Sequence, residues 1–354
     1  MDSYLVRPWM TVVIATYNSE KYLPKIHKAL VSQVQPEGVS VLEVIAVDGG
    51  STDKTRELAI SYGYRVIDNL AGHAIAAKHI GLTKAASRLV CFLDHDELFT
   101  SSTALSQRYE LFIKNPNLRA MISAGYRFGA KDSSSNMYAS EFGDPVSMVA
   151  YRCPNNETFR ISALSKRLKV DHFDGEAVLF QAGSESKPIL CEMAAGSGVV
   201  DADFYRENYP NTFQDENAVP HLYYYLKSIG GNDLLGVIKH DAILHDSVDS
   251  WNAVRKKISW RINNAVNSTV IAESGFNGRS HSKMYSPKIQ IIKYLIYCLT
   301  VVGPVGDSIY LSVTRRRLGY LNHFGLVYFV LFESIRLRIR RKNEKQTLNR
   351  YGEN

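Results

Sequence analysis

Short apolar runs alternate with helical segments at even spacing through the first hundred residues, and this alternation most constrains the fold. Met10–Thr16 (MTVVIAT) and Leu42–Asp48 (LEVIAVD) are apolar and β-branched, as strands buried on both faces are. Tyr64–Asp68 and Leu89–Leu93 read as two further strands. Between them, helices are predicted from Ser19 to about Val34, from Asp53 to Tyr62 and over Ala74–Ala86. Ser19 and Thr52 are predicted to cap the first two, Pro24 is tolerated near a first turn, and Gly63 stands where a left-handed C-terminal cap belongs. Such an order predicts an α/β fold: a Rossmann-like, mostly parallel sheet with helices on both faces.

Ligands of parallel sheets bind beyond the carboxyl ends of the strands. Polar clusters follow three of the predicted strand ends: Thr16-Tyr17-Asn18, Asp48 to Asp53, and Asp94-His95-Asp96-Glu97. Turns use such residues for their own purposes, but three clusters on one rim point to a shared site. Asp94 and Asp96 form an Asp-x-Asp pair, a hard-oxygen set suited to Mg2+ or Mn2+ carried with substrate phosphates. Asp201-Ala-Asp203 is a second such triplet and an alternative partner of the site. The chain has no Gly-x-x-x-x-Gly-Lys-Ser/Thr loop and no Gly-x-Gly-x-x-Gly after the first strand, which argues against P-loop and dinucleotide-binding chemistry.

The ordered set IATYNSEKYL, VIAVDGGSTDKT and AIAAKHIGLTKAASRLVCFLDHDE resembles the family 2 glycosyltransferases of the GT-A fold, strongly over residues 10–100 and more weakly to about 260. The resemblance implies that Thr16, Tyr17 and Asn18 line a nucleotide pocket, that Asp48 binds the base, commonly uracil, and that Asp94 sits near the ribose and metal with Asp96 as principal metal ligand. Lys78 stands where the family usually has Arg, near the diphosphate, and His79 where Asn is usual. A family acidic pair normally follows about a hundred residues later and supplies the base that deprotonates the acceptor. Here it reads Gln214-Asp215-Glu216. Asp215 is the expected base and Glu216 its substitute, against the plainer reading of two acids at the start of a helix over Val219–Ile229. His245 is the expected further contact to metal or diphosphate, although a lone His is more often structural. The implied reaction is an inverting transfer from a nucleotide sugar, with a UDP-sugar as the expected donor. Two alternatives stand beside it: a nucleotidyltransferase of related topology, and a sugar-nucleotide binding protein without turnover.

Elsewhere the reading is coarser. A helix is predicted over Ser101–Lys114, a strand over Ala120–Gly125, a polar loop over Asp132–Asn136, a hairpin turn at Asp174-Gly175, and an amphipathic helix over Asp249–Ala265 beside the site.

Charge is placed unevenly. Residues 285–354 carry twelve Lys or Arg against four Asp or Glu, a net +8 that leaves −1 for the rest of a chain whose total is +7. A near-neutral body with a basic, apolar tail points to an anionic membrane surface rather than nucleic acid. The apolar runs Tyr294–Gly306 and Phe324–Ile335 are each shorter than the roughly 20 residues of a membrane span. Interfacial helices are therefore expected, with Tyr328, Leu331, Phe332, Ile335 and Ile339 on one face. Core helices are the plain alternative. The resulting expectation is a catalytic domain over 1–270, a linker over 271–287 and a membrane-associating helical region over 288–354, working on a lipid-linked or glycan acceptor. Four cysteines without CxxC spacing and an N-terminus without an apolar core lead to the expectation that the catalytic part lies on the cytoplasmic face.

Overall fold

We describe a computed structural model of the chain, covering residues 7–39, 41–226, 232–267 and 287–343. The chain forms two compact units interleaved in sequence. The first comprises residues 1–127, 168–184 and 191–244; the second comprises 128–167, 185–190 and 245–354. The division expected at residue 270 is a statement about folding units. In the structure residues 128–167 and 245–267 share a unit with the C-terminal helices, and most of the expected linker lies outside the described residues.

The first unit is built on β1 (Met10–Thr16), β2 (Leu42–Asp48), β3 (Arg65–Asp68) and β4 (Leu89–Asp94), with α1 (Leu23–Val31), α2 (Thr55–Ser61), α3 (Ala74–Lys84) and α4 (Ala104–Lys114) between and after them. It also holds β5 (Glu97–Phe99), β6 (Leu118–Met121), β7 (Gly125–Tyr126), β8 (Val170–Asp174), β9 (Ala177–Gln181), β10 (Val199–Asp201), α8 (Ala202–Asn208), α9 (Leu222–Tyr225), β11 (Leu234–Ile238) and all but the last residue of β12 (Ala242–His245). Among the described residues the main sheet has nine strands in the order β3-β2-β1-β4-β10-β6-β11-β9-β8. The first four are parallel, and β10 enters antiparallel to both β4 and β6. A small sheet of β5, β12 and β7 flanks it. The α/β expectation therefore holds, with a mixed rather than uniform sheet.

Strand β1 is buried along its whole length, as the centre of a parallel sheet requires. Helix α3 lies directly on it: a Cβ at Gly81 would come within 2.1 Å of Val13 Cγ1. Only glycine permits that approach, and it fixes the register of the helix carrying Lys78.

Several boundaries differ from expectation. Helix α1 starts at Leu23 rather than at Ser19, whose hydroxyl turns back to accept the Tyr17 N–H. Helix α2 starts at Thr55; Asp53 accepts the Thr55 N–H, while Thr52 gives its N–H to Asn18. Gly63 takes the expected positive φ of 76°. In place of a helix from Val219 stand a 3-10 turn over Glu216–His221 and the single turn α9. Pro220 inside that turn has no N–H to give to an α-helical ladder. The turn at Asp174-Gly175 is present, with Gly175 at φ 59° between antiparallel β8 and β9.

The second unit is helical: α5 (Ser134–Phe142), α6 (Pro145–Tyr151), α7 (Arg160–Ser165), α10 (Trp251–Asn267), α11 (Pro287–Thr300), α12 (Val302–Thr314) and α13 (Asn322–Asn343). The polar stretch expected as a loop at 132–136 begins α5, because Ser133 caps it by accepting the Asn136 N–H at 3.1 Å. Tyr138, Ile258, Leu311 and Val327 belong to one buried cluster drawn from α5, α10, α12 and α13. The tail thus supplies core to this unit.

Candidate active site

The carboxyl ends of four strands bring four side chains into one row. Thr16 pairs in register with Asp48, Asp48 with Asp68, and Asp94 with Ala15 beside Thr16. Sheet geometry alone therefore gathers two of the predicted clusters, and β4 carries the third into its following turn.

Asp48 is buried and fully engaged. Its carboxylate accepts from the hydroxyls of Thr16 (3.2 Å) and Ser51, from the N–H of Gly50 (3.2 Å) and Ser51 (3.0 Å), and from Arg56 Nη1 at 3.2 Å. Burial pushes this carboxyl up, but the Ser51 hydrogen bonds, with Arg56 and Thr16, outweigh it and hold Asp48 below the ordinary carboxylate range. Arg56 continues to Asp68 Oδ1 at 2.6 Å. The loops after β1 and β2 are stitched together: Asn18 takes a positive φ of 46°, accepts the Thr52 N–H and gives its own N–H to Ser51 Oγ, both at 2.9 Å. Tyr17 lies against Gly49, where an added Cβ would meet Tyr17 Cδ2 at 3.7 Å. These residues form a shaped, prepaid floor of hydrogen bonds.

Lys78 of α3 reaches Asp94 Oδ1 at 2.8 Å. Burial disfavours its charged form, but Asp94, with Glu97 and Glu192 further off, more than offsets this and raises the ammonium above its usual value. His73 caps α3 by accepting the Ala76 N–H at 3.2 Å, which points its other ring nitrogen toward Glu216 Oε1 at 3.7 Å. The neighbouring His79 has its Nε2 buried without a hydrogen-bond partner among the described residues.

Glu97 closes the turn that holds Asp94 and Asp96. Its buried carboxylate accepts the Asp94 N–H at 3.0 Å, the Tyr126 hydroxyl at 2.8 Å and the Gly196 N–H at 3.1 Å. Burial pushes the Tyr126 hydroxyl well up, and the charges of Glu97, Asp94 and Asp96 add to that, so all three acids lie within electrostatic reach of one phenol. The Gly196–Gly198 turn is held from the other side by fully buried Arg108, which gives Nε to Asp241 at 2.7 Å and Nη2 to Ser197 Oγ at 3.0 Å. Ser197 has φ 56°.

Asp215 is exposed and caps the 3-10 turn over 216–221 by accepting the Asn217 N–H at 2.9 Å; that turn packs against α3. Asp201 and Asp203 have structural work. Asp201 pairs with Arg88 at 2.7 Å and lies opposite Leu89, at the far end of β4 from Asp94, while Asp203 pairs with Arg7 and Arg206. His245 falls in the second unit, where its Nδ1 meets Ser140 Oγ at 2.9 Å, as does the helix expected beside the site, α10.

Arg56, Asp68, Glu97, Tyr126 and Arg108 have no individual role in the motif pattern. Asp68 was findable as a fourth strand-end acid. Tyr126 and Arg108 come from distant elements and carry no local signal.

Two carboxylates are a sparse metal set, and no group of three or more His, Cys, Asp and Glu capable of holding an ion occurs among the described residues. Such a pair fits Mg2+ or Mn2+ whose remaining ligands are water and substrate phosphate.

Residues 11–173 match the family model described as glycosyl transferase family 2. Glycosyltransferase AglE of Haloferax volcanii is 30% identical over 95 residues, 25% of this chain and 31% of that protein. Poly(ribitol-phosphate) beta-N-acetylglucosaminyltransferase TarS of Staphylococcus aureus is 28% identical over 99 residues, 26% of this chain and 17% of that protein. The chain thus aligns with a third or less of these relatives' length. The mannosyltransferase PcManGT of Pyrobaculum calidifontis, solved with GDP-Man and Mn2+, superposes with a TM-score of 0.51 at 13% identity, over 95% of this chain and 88% of that one. That likeness shows the GT-A fold. With its Asp-x-Asp turn at the end of β4 inside the matched stretch, the chain is similar to glycosyl transferase family 2 over residues 11–173.

Proposed function

We propose that the chain is a glycosyltransferase that moves a sugar from a nucleoside-diphosphate donor, a UDP-sugar, to an acceptor hydroxyl. The observation that carries this is the Lys78–Asp94 pair standing beside the buried Asp48 floor, inside the family-matched stretch. The hydrogen-bonded Thr16–Asp48–Arg56 set offers fixed polar groups to a base and ribose. Lys78 offers a cation to the leaving diphosphate. Asp94 and Asp96 would hold Mg2+ or Mn2+, which supplies positive charge to the diphosphate when bound. The Mn2+ complex of PcManGT supports that choice.

Asp215 is the proposed general base. Asn217 engages one of its carboxylate oxygens, leaving a second oxygen to accept the acceptor's proton. Glu216 remains the alternative. Direct displacement needs acceptor oxygen, base and anomeric carbon aligned, and it inverts the anomeric centre. We further propose a lipid-linked acceptor on the cytoplasmic face of a membrane. The four buried, free cysteines support a reducing compartment.

A panel of nucleotide sugars with Mn2+ or Mg2+, read by thermal shift and by product, tests this reading. The expected product is a nucleoside diphosphate and a transferred or hydrolysed sugar. Release of a sugar phosphate in place of the nucleoside diphosphate would instead identify a nucleotidyltransferase, and binding without turnover a non-catalytic protein.

A further inference from the structure

Helices α11 and α12 carry apolar residues on the outer face as well as in the core, and polar residues among those turned inward. A surface helix ordinarily buries its apolar stripe and exposes polar residues. Here the inward stripe of α11 is Gln290, Tyr294 and Cys298, and α12 buries Ser308 and Ser312 among its inward residues; Gln290 is 4% and Ser308 3% exposed. Both serines are satisfied by carbonyls of their own helix at 2.7 and 2.8 Å. The outward residues are Ile292, Ile296 and Leu299 on α11 and Val302, Ile309 and Val313 on α12, with Leu299 80% and Val302 78% exposed.

The two helices meet at 87° around Val301, a β-branched residue held at φ 55°. That conformation is strained for valine. Gly303 makes the elbow possible, since a Cβ there would lie 2.8 Å from the Tyr297 ring. A polar chain braces the inside: Arg152 is bidentate to Asp307 at 2.8 and 2.7 Å, and the Tyr297 hydroxyl donates to Asp307 at 2.8 Å.

Charge selects the occupant. The two acidic residues between 287 and 343 are Asp307 and Glu333, each turned inward and paired, with Arg152 and Arg336. Lys288, Lys293, Arg316 and Arg338 are exposed. An apolar outer face rimmed by cations alone suits an anionic lipid surface. The arms of 14 and 13 residues are about 20 Å long, too short to cross a hydrocarbon core of about 30 Å. Helix α13 has 22 residues, and Leu318–Arg340 is long and apolar enough to cross a membrane, but Leu326, Val327, Val330 and Leu337 are buried within the unit.

We infer that the α11–α12 elbow is an interfacial wedge that seats the second unit on an anionic bilayer, with Leu299 and Val302 at its leading edge. The inference rests on the membrane part of the reading above and names the element that makes the contact. Full-length chain is sedimented with vesicles of zwitterionic lipid and with vesicles containing about a third anionic lipid. Wild type is expected to bind the anionic vesicles more tightly, less so at high salt. Leu299→Asp with Val302→Asp should lower binding to both by about a hundredfold. Lys293→Glu with Arg338→Glu should lower binding to the anionic vesicles alone, and Phe173→Asp, at an exposed position of the first unit, should change neither. If aspartates at the elbow perturb the fold by circular dichroism, the milder Leu299→Ser, Val302→Ser pair reads the same loss. Unchanged binding by the elbow variants overturns the inference. So does a wild-type chain that ignores both vesicle types and forms a dimer that the elbow variants dissociate. Sugar-nucleotide turnover without vesicles should be equal in all these variants, so its loss would speak against the donor site and not against the wedge.

Discussion

Glu97 gathers three donors from separate elements: the Asp94 N–H, the Tyr126 hydroxyl and the Gly196 N–H. Replacing it by Ala strands all three in a buried site, and each stranded donor costs about 1–3 kcal/mol. Glu97→Ala is therefore expected to lower unfolding stability by about 3 kcal/mol or more, read from the midpoint of a urea titration; an unchanged midpoint would mean the turn at 94–97 stands without it. Asp215 predicts a different pattern. Asp215→Asn keeps shape and removes basicity, so transfer should fall about 10²- to 10⁴-fold while donor affinity stays level. A larger loss from Glu216→Gln would move the base by one residue. The Asp-x-Asp pair, Asp48 and Lys78 were legible because strand ends and family spacing mark them locally. Glu97 was visible only as one more acid in a turn, since its partners lie 29 and 99 residues away.

Among the elements, the β1-to-β4 half was readable because parallel strands buried on both faces declare themselves by composition alone. Helix starts were less so: Ser19 and Thr52 are good caps by type, yet the loops after β1 and β2 use them to join each other. The helical unit hides its logic further, because polar side chains hold its interior. His323 of α13 is fully buried, with Nε2 2.9 Å from the Tyr297 hydroxyl and Nδ1 2.7 Å from the Tyr138 hydroxyl. Tyr297 gives its proton to Asp307, so its oxygen accepts from His323 Nε2–H, and Nδ1 accepts from Tyr138. Burial, with Arg152 adding to it and Asp307 opposing, lowers this imidazole from 6.5 to about 4. The unfolded chain then binds the proton first as pH falls. Stability is full above pH 6.5, declines below it and levels off near pH 4, a loss of about 3 kcal/mol for this one group. Thermal midpoints between pH 7 and pH 4 should show that decline, and His323→Gln should flatten it. An equal decline in the variant would assign it to other groups.

At the scale of the whole molecule, contact divides the chain differently from composition. The second unit draws on 128–167, 185–190 and residues from 245 onward, a non-local assembly that no compositional shift announces. The apolar, basic tail was legible as unusual, and the structure gives it two faces: Leu326, Val327 and Val330 of α13 enter the core, while Phe332, Ile335 and Ile339 stay exposed. Removing everything after residue 287 would therefore strip core from the unit, and point substitutions are the cleaner probe of its surface. The first unit, which carries the Asp-x-Asp turn, can be tested by its activity. Purified chain is incubated with a UDP-sugar and Mn2+, and nucleoside diphosphate release is followed for wild type, wild type with chelator, and Asp96→Asn. Metal-dependent release by wild type and near-complete loss in the other two are expected; release that survives both chelation and Asp96→Asn, or release of a sugar phosphate in place of the nucleoside diphosphate, would contradict a metal-dependent sugar transfer.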